Sequence, residues 1–247
     1  MAIFLTMLAI GLALTVKGIT GFGSGLVTVT LLTLIWGPRG AISISACTEV
    51  LACSILVPQV WRQIHPTLMA ALFLPLITGL WLGTGLLAEL SDDLLTMVVG
   101  AVVAISGLYL AWRPVAKGRG ELDDLPEKPG RVLGLAAAVG FVGGILGGLT
   151  TASGPPIIIF GRYFFTDGFG RAQFIGVFFL SSAALLPMLV IRGVIQADGL
   201  WRLPWFVPPM FIGAALGAWL SPRFSREQFG RLVGFILAGA GTALLLG

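Results

Sequence analysis

The sequence predicts an all-α integral membrane protein made of two homologous, inverted repeats. Each repeat holds three full spans plus a glycine-broken pair of half-helices, about 8 to 10 membrane segments in all. Three observations lead there. Hydrophobic residues make up 57% of the 247 and charged residues only 11%, against roughly 25% charged in a soluble domain. Apolar runs of about 20 residues, enough to cross a bilayer as helix, recur along the whole chain. The sequence also resembles itself at an offset of 134 residues: 75–113 laid on 209–247 gives 11 identities in 39 positions without a gap. Among them are Pro75, Gly79, Gly83, Ser91, Gly100 and Gly107, a phase that apolar composition alone does not produce.

In chain order, the first repeat spans residues 1–113. It opens with an apolar stretch, 2–36, interrupted by KGITGFGSG at 17–25. Residues 2–16 make about 22 Å of helix and 25–36 about 18 Å, each short of a core of about 30 Å, so two half-helices meeting inside the membrane fit the lengths. Full spans follow at 41–60, 67–87 and 94–112. Residues 114–131, rich in charge, form a linker. The second repeat, 132–247, begins with a stretch at 132–165 interrupted by GGLTTASGPP at 147–156, then spans at 172–191, 203–220 and 229–247. Most of the seven tryptophans fall near span ends, where interface anchors sit.

Charge sets orientation. The central region carries Arg113, Lys117, Arg119, Lys128 and Arg131, which the positive-inside rule places in the cytoplasm. The loop with Glu89, Asp92 and Asp93 lacks a positive residue and belongs outside, whereas its counterpart holds Arg223, Arg226 and Arg231 and belongs inside. Hence the repeats read as inverted, and each interrupted stretch enters and leaves on one side. Arg192 and Arg202 fall outside in this scheme, which leaves eight spans in parallel halves as the alternative. The amino-terminal segment has its first positive charge, Lys17, behind the apolar run, the reverse of a cleaved signal peptide.

Several functions are excluded. No stretch of soluble composition is long enough for a catalytic domain. The excess of 15 Lys+Arg over 11 Asp+Glu reports loop placement in a membrane chain, not nucleic-acid binding. One histidine, His65, read as a solvated loop residue, and two cysteines, Cys47 and Cys53, within one apolar segment build neither a metal site nor a disulfide framework. No metal, cofactor or enzyme chemistry is expected.

The two breaks carry the functional reading. Non-helical backbone at membrane depth persists only where protein or a watery cavity covers it. A half-helix starting there aims unpaired N–H groups at the cavity, a ready anion site. Candidate substrate-binding residues are Lys17, Gly21, Gly23, Ser24 and Gly25 in the first break and Thr150, Thr151, Ser153, Gly154 and Pro155 in the second. Glu49 is the one carboxylate deep in a full span and the candidate coupling residue, for H+ or Na+, with a static pair to Lys17 or Arg162 as the alternative. The corresponding part of the second repeat offers only Ser181 and Ser182. Arg162 and Tyr163 read as an interfacial anchor, and Gly79, Gly83, Gly213 and Gly217 as helix-packing residues. Partners are then the lipid bilayer and a small anion.

The GFGSG of the first break and the GGLTTASGPP of the second, each opening a run of hydrophobic spans, resemble the sulfite exporter TauE/SafE family, also called the toluene sulfonate uptake permeases. The resemblance covers essentially the whole chain. Where that family's pattern usually has a triple-glycine run, this chain has Gly23, Ser24, Gly25 and then Ser153, Gly154, Pro155, all small residues or breakers. The resemblance implies a secondary permease of the inner membrane for small sulfur-containing anions such as sulfite, sulfonates or sulfoacetate, working by alternating access. A passive anion channel or a membrane subunit for another solute is the alternative.

Overall fold

The computed structural model describes residues 1–20, 23–112, 125–126, 129–195, 203–221, 223 and 226–246. Every regular element among them is helical: α1 (Ala2–Thr20), α2 (Ser24–Val60), α3 (Pro66–Glu89), α4 (Asp92–Trp112), α5 (Gly130–Thr150), α6 (Gly154–Phe164), α7 (Asp167–Ile191), α8 (Val207–Leu220) and α9 (Arg226–Leu246), with 3-10 turns at Trp61–Gln63 and Leu203–Phe206. Seven of these helical segments are long and apolar enough to cross a membrane, so the chain is a multi-pass membrane protein.

The expected spans 41–60, 67–87, 94–112 and 172–191 fall on helices, as does 229–247 as far as Leu246, with Gly247 outside the described residues, but two expectations need correction. The span at 203–220 is shorter, a 3-10 turn leading into the 14 residues of α8. Pro204, Pro208 and Pro209 lack the N–H groups that an α-helix through this segment would use. The breaks are also narrower than their glycines suggest, because α1 runs on to Thr20 and α5 to Thr150. Glycines inside them serve packing: a Cβ on Gly18 would lie 2.8 Å from the Cα of Gly217, and Gly148 sits against the backbone of α3. Only the second member of each pair is a short helix.

Those short helices are residues 24–36 of α2, about 20 Å, and α6, 11 residues and about 16 Å. Gly37, at φ 72 and followed by Pro38, separates the first arm of α2 from the second, 38–60. The first arm folds back along α1, since Trp36 Nε1 at its end donates to Thr6 Oγ1 at 2.7 Å. α6 folds back along α5 in the same way: a Cβ on Gly143 would lie 3.3 Å from the Ile157 side chain, and one on Gly147 2.9 Å from Ser153 Cβ.

The principal helix pairs each join an element before residue 113 to one after 129: α3 with α5, α4 with α9, α1 with α8, and α2 with α7. Lipid tails are as apolar as leucine, so burial contributes little to helix association and close approach through small residues replaces it. Gly79 and Gly83 meet Gly144 and Gly148, and Gly213 and Gly217 meet Gly11 and Gly18. Gly100 faces Gly241, and Gly107 faces Gly234. Leucines at the inner levels, such as Leu72, Leu76 and Leu80, are fully buried, whereas Leu74, Ile105, Phe235 and Ile236 point outward, as lipid-facing residues do.

Candidate functional site

The two breaks come together at the centre of the bundle. A Cβ on Gly25 would lie 3.2 Å from the carbonyl oxygen of Thr151. Between them lies a cavity of about 50 Å³, more than a single buried water needs. Its walls are Gly23 and Gly25, residues 151–155, the second arm of α2 at Ala46 and Glu49, α4 at Ser106, Tyr109 and Leu110, and α7 at Phe178, Ser181, Ser182 and Leu185. The wall is largely apolar, with Leu26, Leu110, Ile158, Phe178 and Leu185, and set into it are the Glu49 carboxylate and the hydroxyls of Ser106, Tyr109, Thr151, Ser153, Ser181 and Ser182.

Gly23 caps the first arm of α2 at φ 88, a left-handed conformation that glycine adopts without a Cβ penalty, and no side chain caps the helix start. The N–H groups of Ser24, Gly25 and Leu26, the first helical residues, are therefore orphan donors beside the cavity. α6 differs. Its first residues are Gly154, Pro155 and Pro156, and two prolines leave one free N–H. The first break is the donor-rich one. In the second, Thr151 takes the left-handed C-cap position of α5 at φ 61, an outlier for a β-branched residue. Its hydroxyl donates to Ser45 Oγ at 3.0 Å, and Ser153 Oγ lies 3.4 Å from Ser181 Oγ.

Glu49 fastens the first break. Its Oε1 accepts from Lys17 Nζ at 2.5 Å and its Oε2 from Ser24 Oγ at 2.6 Å. One carboxylate thus ties the last turn of α1, the first turn of α2 and the second arm of α2. Lys17 also donates to Cys53 Sγ at 3.2 Å. The ammonium is 4% exposed and stands behind Glu49, while the carboxylate is among the groups lining the cavity. Two opposite charges at membrane depth are tolerable together because each supplies the other's counter-charge.

Of the residues expected from sequence, Gly23, Gly25, Glu49, Thr151, Ser153, Gly154 and Pro155 line the cavity. Lys17, Ser24 and Thr150 are buried one layer behind, Thr150 donating to Leu146 O at 2.8 Å. Gly21, Arg202 and the Arg162 side chain lie outside the described residues. The sequence reading missed Ser45, Ser106 and Tyr109. Ser106 and Tyr109 sit one helical turn apart in an otherwise apolar span, a polar pair on one face that could have flagged them.

The chain resembles known proteins along nearly its whole length. The family model described as "Sulfite exporter TauE/SafE" matches residues 6–244. A relative from Cupriavidus necator, described as "Probable sulfite/organosulfonate exporter TauE", is 27% identical over 247 residues, covering 98% of this chain and 89% of the relative. No solved structure matches the chain. With two glycine-rich breaks facing one cavity inside a bundle of apolar helices, and a family match spanning nearly all of it, the chain belongs to the sulfite exporter TauE/SafE family.

Proposed function

We propose that the protein is a secondary transporter of small sulfur-containing anions, such as sulfite, sulfonates or sulfoacetate, across the inner membrane, with the central cavity as its substrate site. The observation that carries this reading is the meeting of the two breaks, Gly25 against Thr151, around one cavity whose largely apolar wall carries hydroxyls and the Glu49 carboxylate. Broken helices in corresponding halves that converge at membrane depth are the usual build of a transporter's substrate site. The name borne by the Cupriavidus relative supplies the substrate class.

Two inverted repeats, 1–113 and 132–247 with the linker 114–131 between them, fit the helix pairing. The offset of 134 maps Gly100 to Gly234 and Gly107 to Gly241, and the contacts are Gly100 with Gly241 and Gly107 with Gly234. A pair of antiparallel helices that exchanges equivalent residues has a two-fold axis across it, the isologous arrangement of a symmetric dimer. Such an axis lies in the membrane plane and inverts one repeat relative to the other.

Glu49 is the coupling residue in this reading, with H+ as the ion. When its carboxylate takes up a proton, Lys17 loses its counter-charge, and an anion entering the adjacent cavity restores neutrality. Proton and anion then bind together, and their gradients set the direction of transport.

The test is thermal stabilisation of detergent-purified protein across sulfite, methanesulfonate, sulfoacetate, thiosulfate, sulfate and acetate, followed by counterflow in liposomes. A ligand binding only the folded state stabilises it by RT ln(1 + [L]/Kd), about 2.7 kcal/mol at 100 Kd. A selective shift with sulfur anions, and counterflow of the same anion, is expected. No shift and no counterflow would sink the substrate class. Flux without counterflow would make the protein a passive channel.

A further inference from the structure

We infer that Ser106 and Tyr109 of α4 are substrate-binding residues, neutral donors that meet the charged oxygens of the transported anion. The inference rests on the transporter reading above. Hydroxyls on membrane helices ordinarily donate to the carbonyl one turn back, because unpaired donors in an apolar surrounding cost free energy. Most in this molecule do so: Thr48 to Ile44 O at 3.0 Å, Thr84 to Leu80 O at 2.8 Å, Ser182 to Phe178 O at 2.8 Å. The Ser106 hydroxyl, on a residue only 5% exposed, makes no such bond, and the Tyr109 phenol, too long to reach its own helix backbone, likewise has no hydrogen-bond partner among the described residues. Both line the cavity. A partner arriving in the cavity is what their protons are free for.

The chemistry suits an anion. No Lys or Arg lines the cavity among the described residues, and the nearest ammonium, Lys17, is paired with Glu49. A bound oxyanion has acceptors only, so its partners must be donors, and a serine hydroxyl and a phenol can each supply one. Across the cavity, the Ser153 and Ser181 hydroxyls face each other at a long 3.4 Å, so their mutual bond is weak. Neutral donors supply the direct hydrogen bonds while the Lys17 charge, uncovered only when Glu49 is protonated, acts from behind, so re-forming the pair lets the anion leave. The packing of α4 does not ask for these hydroxyls either. Gly107 makes the contact to α9, and the offset of 134 places Ala240 and Ala243 at the corresponding positions of the other repeat.

Ser106→Ala and Tyr109→Phe each delete one hydroxyl that has no partner within the protein. With sulfite and methanesulfonate as probes, each variant of the full-length protein should bind about tenfold or more weakly, the loss of one hydrogen bond to a charged group. Without anion each should melt as the wild type does, and counterflow should show the loss in KM more than in maximal rate. Wild-type affinity in either variant removes that hydroxyl from the site. A lower melting temperature without anion makes it a structural group instead and equally overturns the assignment. If the wild type binds neither probe, the sulfite and sulfonate reading of the cavity fails and this inference falls with it, an outcome separate from a wild type that binds and variants that bind equally well.

Discussion

At Thr151 a β-branched residue occupies a backbone position, φ 61, that helix C-caps usually give to glycine. The left-handed conformation costs a non-glycine residue roughly 1–2 kcal/mol. A side chain kept there at that cost is expected to do something glycine cannot, and its hydroxyl reaches Ser45 while lining the cavity. Thr151→Gly should therefore melt no lower than wild type, the relieved strain offsetting the lost hydrogen bond, while its counterflow falls severalfold. Wild-type counterflow in that variant would show the threonine to be incidental. For Glu49, a second prediction separates coupling from scaffolding. Glu49→Gln can still accept from Lys17 or Ser24 through its amide oxygen but takes up no proton, so sulfite binding should persist while its pH dependence disappears. Retained proton-driven accumulation would remove Glu49 from the coupling step.

On the scale of helices, the glycine seams decide how closely elements approach. A Cβ on Gly107 would lie 2.7 Å from the carbonyl oxygen of Gly234, with backbone on the other side of the contact and no flexible side chain to yield. Gly107→Leu should lower stability by about 1–3 kcal/mol or more, read as a fall in melting temperature in detergent; Gly134→Leu, where a Cβ meets nothing within 4 Å, should not. Gly23→Leu puts a side chain at φ 88, and there the expected loss is counterflow. Most helices were legible in the sequence because apolar run length reports membrane crossing directly. Break boundaries were not. Gly18 and Gly148 read as helix breakers along the chain, yet their role depends on a neighbour more than 60 residues away, which local sequence does not display. The candidate site shows the same limit. Glu49 and the two breaks stood out by being polar in apolar surroundings, whereas Ser106 looked like any serine in a membrane helix until the fold set it on the cavity wall.

Across the whole molecule, inversion predicts which loops share a side. Asp93 and Arg223 lie at the corresponding loops of the two repeats and are both exposed. Cysteines placed there in a cysteine-free background should react with impermeant maleimide from opposite faces of the membrane. Labelling of both from one face would return the eight-span parallel arrangement. The helix pairing has a consequence for motion. α1 packs on α8, α3 on α5, and α4 on α9, so the three most extensive pairs each join the two ends of the chain. Backbones already in contact at glycine do not slide past one another, which makes each such pair a single rigid strut of mixed parentage. In the transporter reading, the bodies that rock to open the cavity to one side and then the other are then assembled from both ends of the chain, not from residues 1–113 and 132–247 separately.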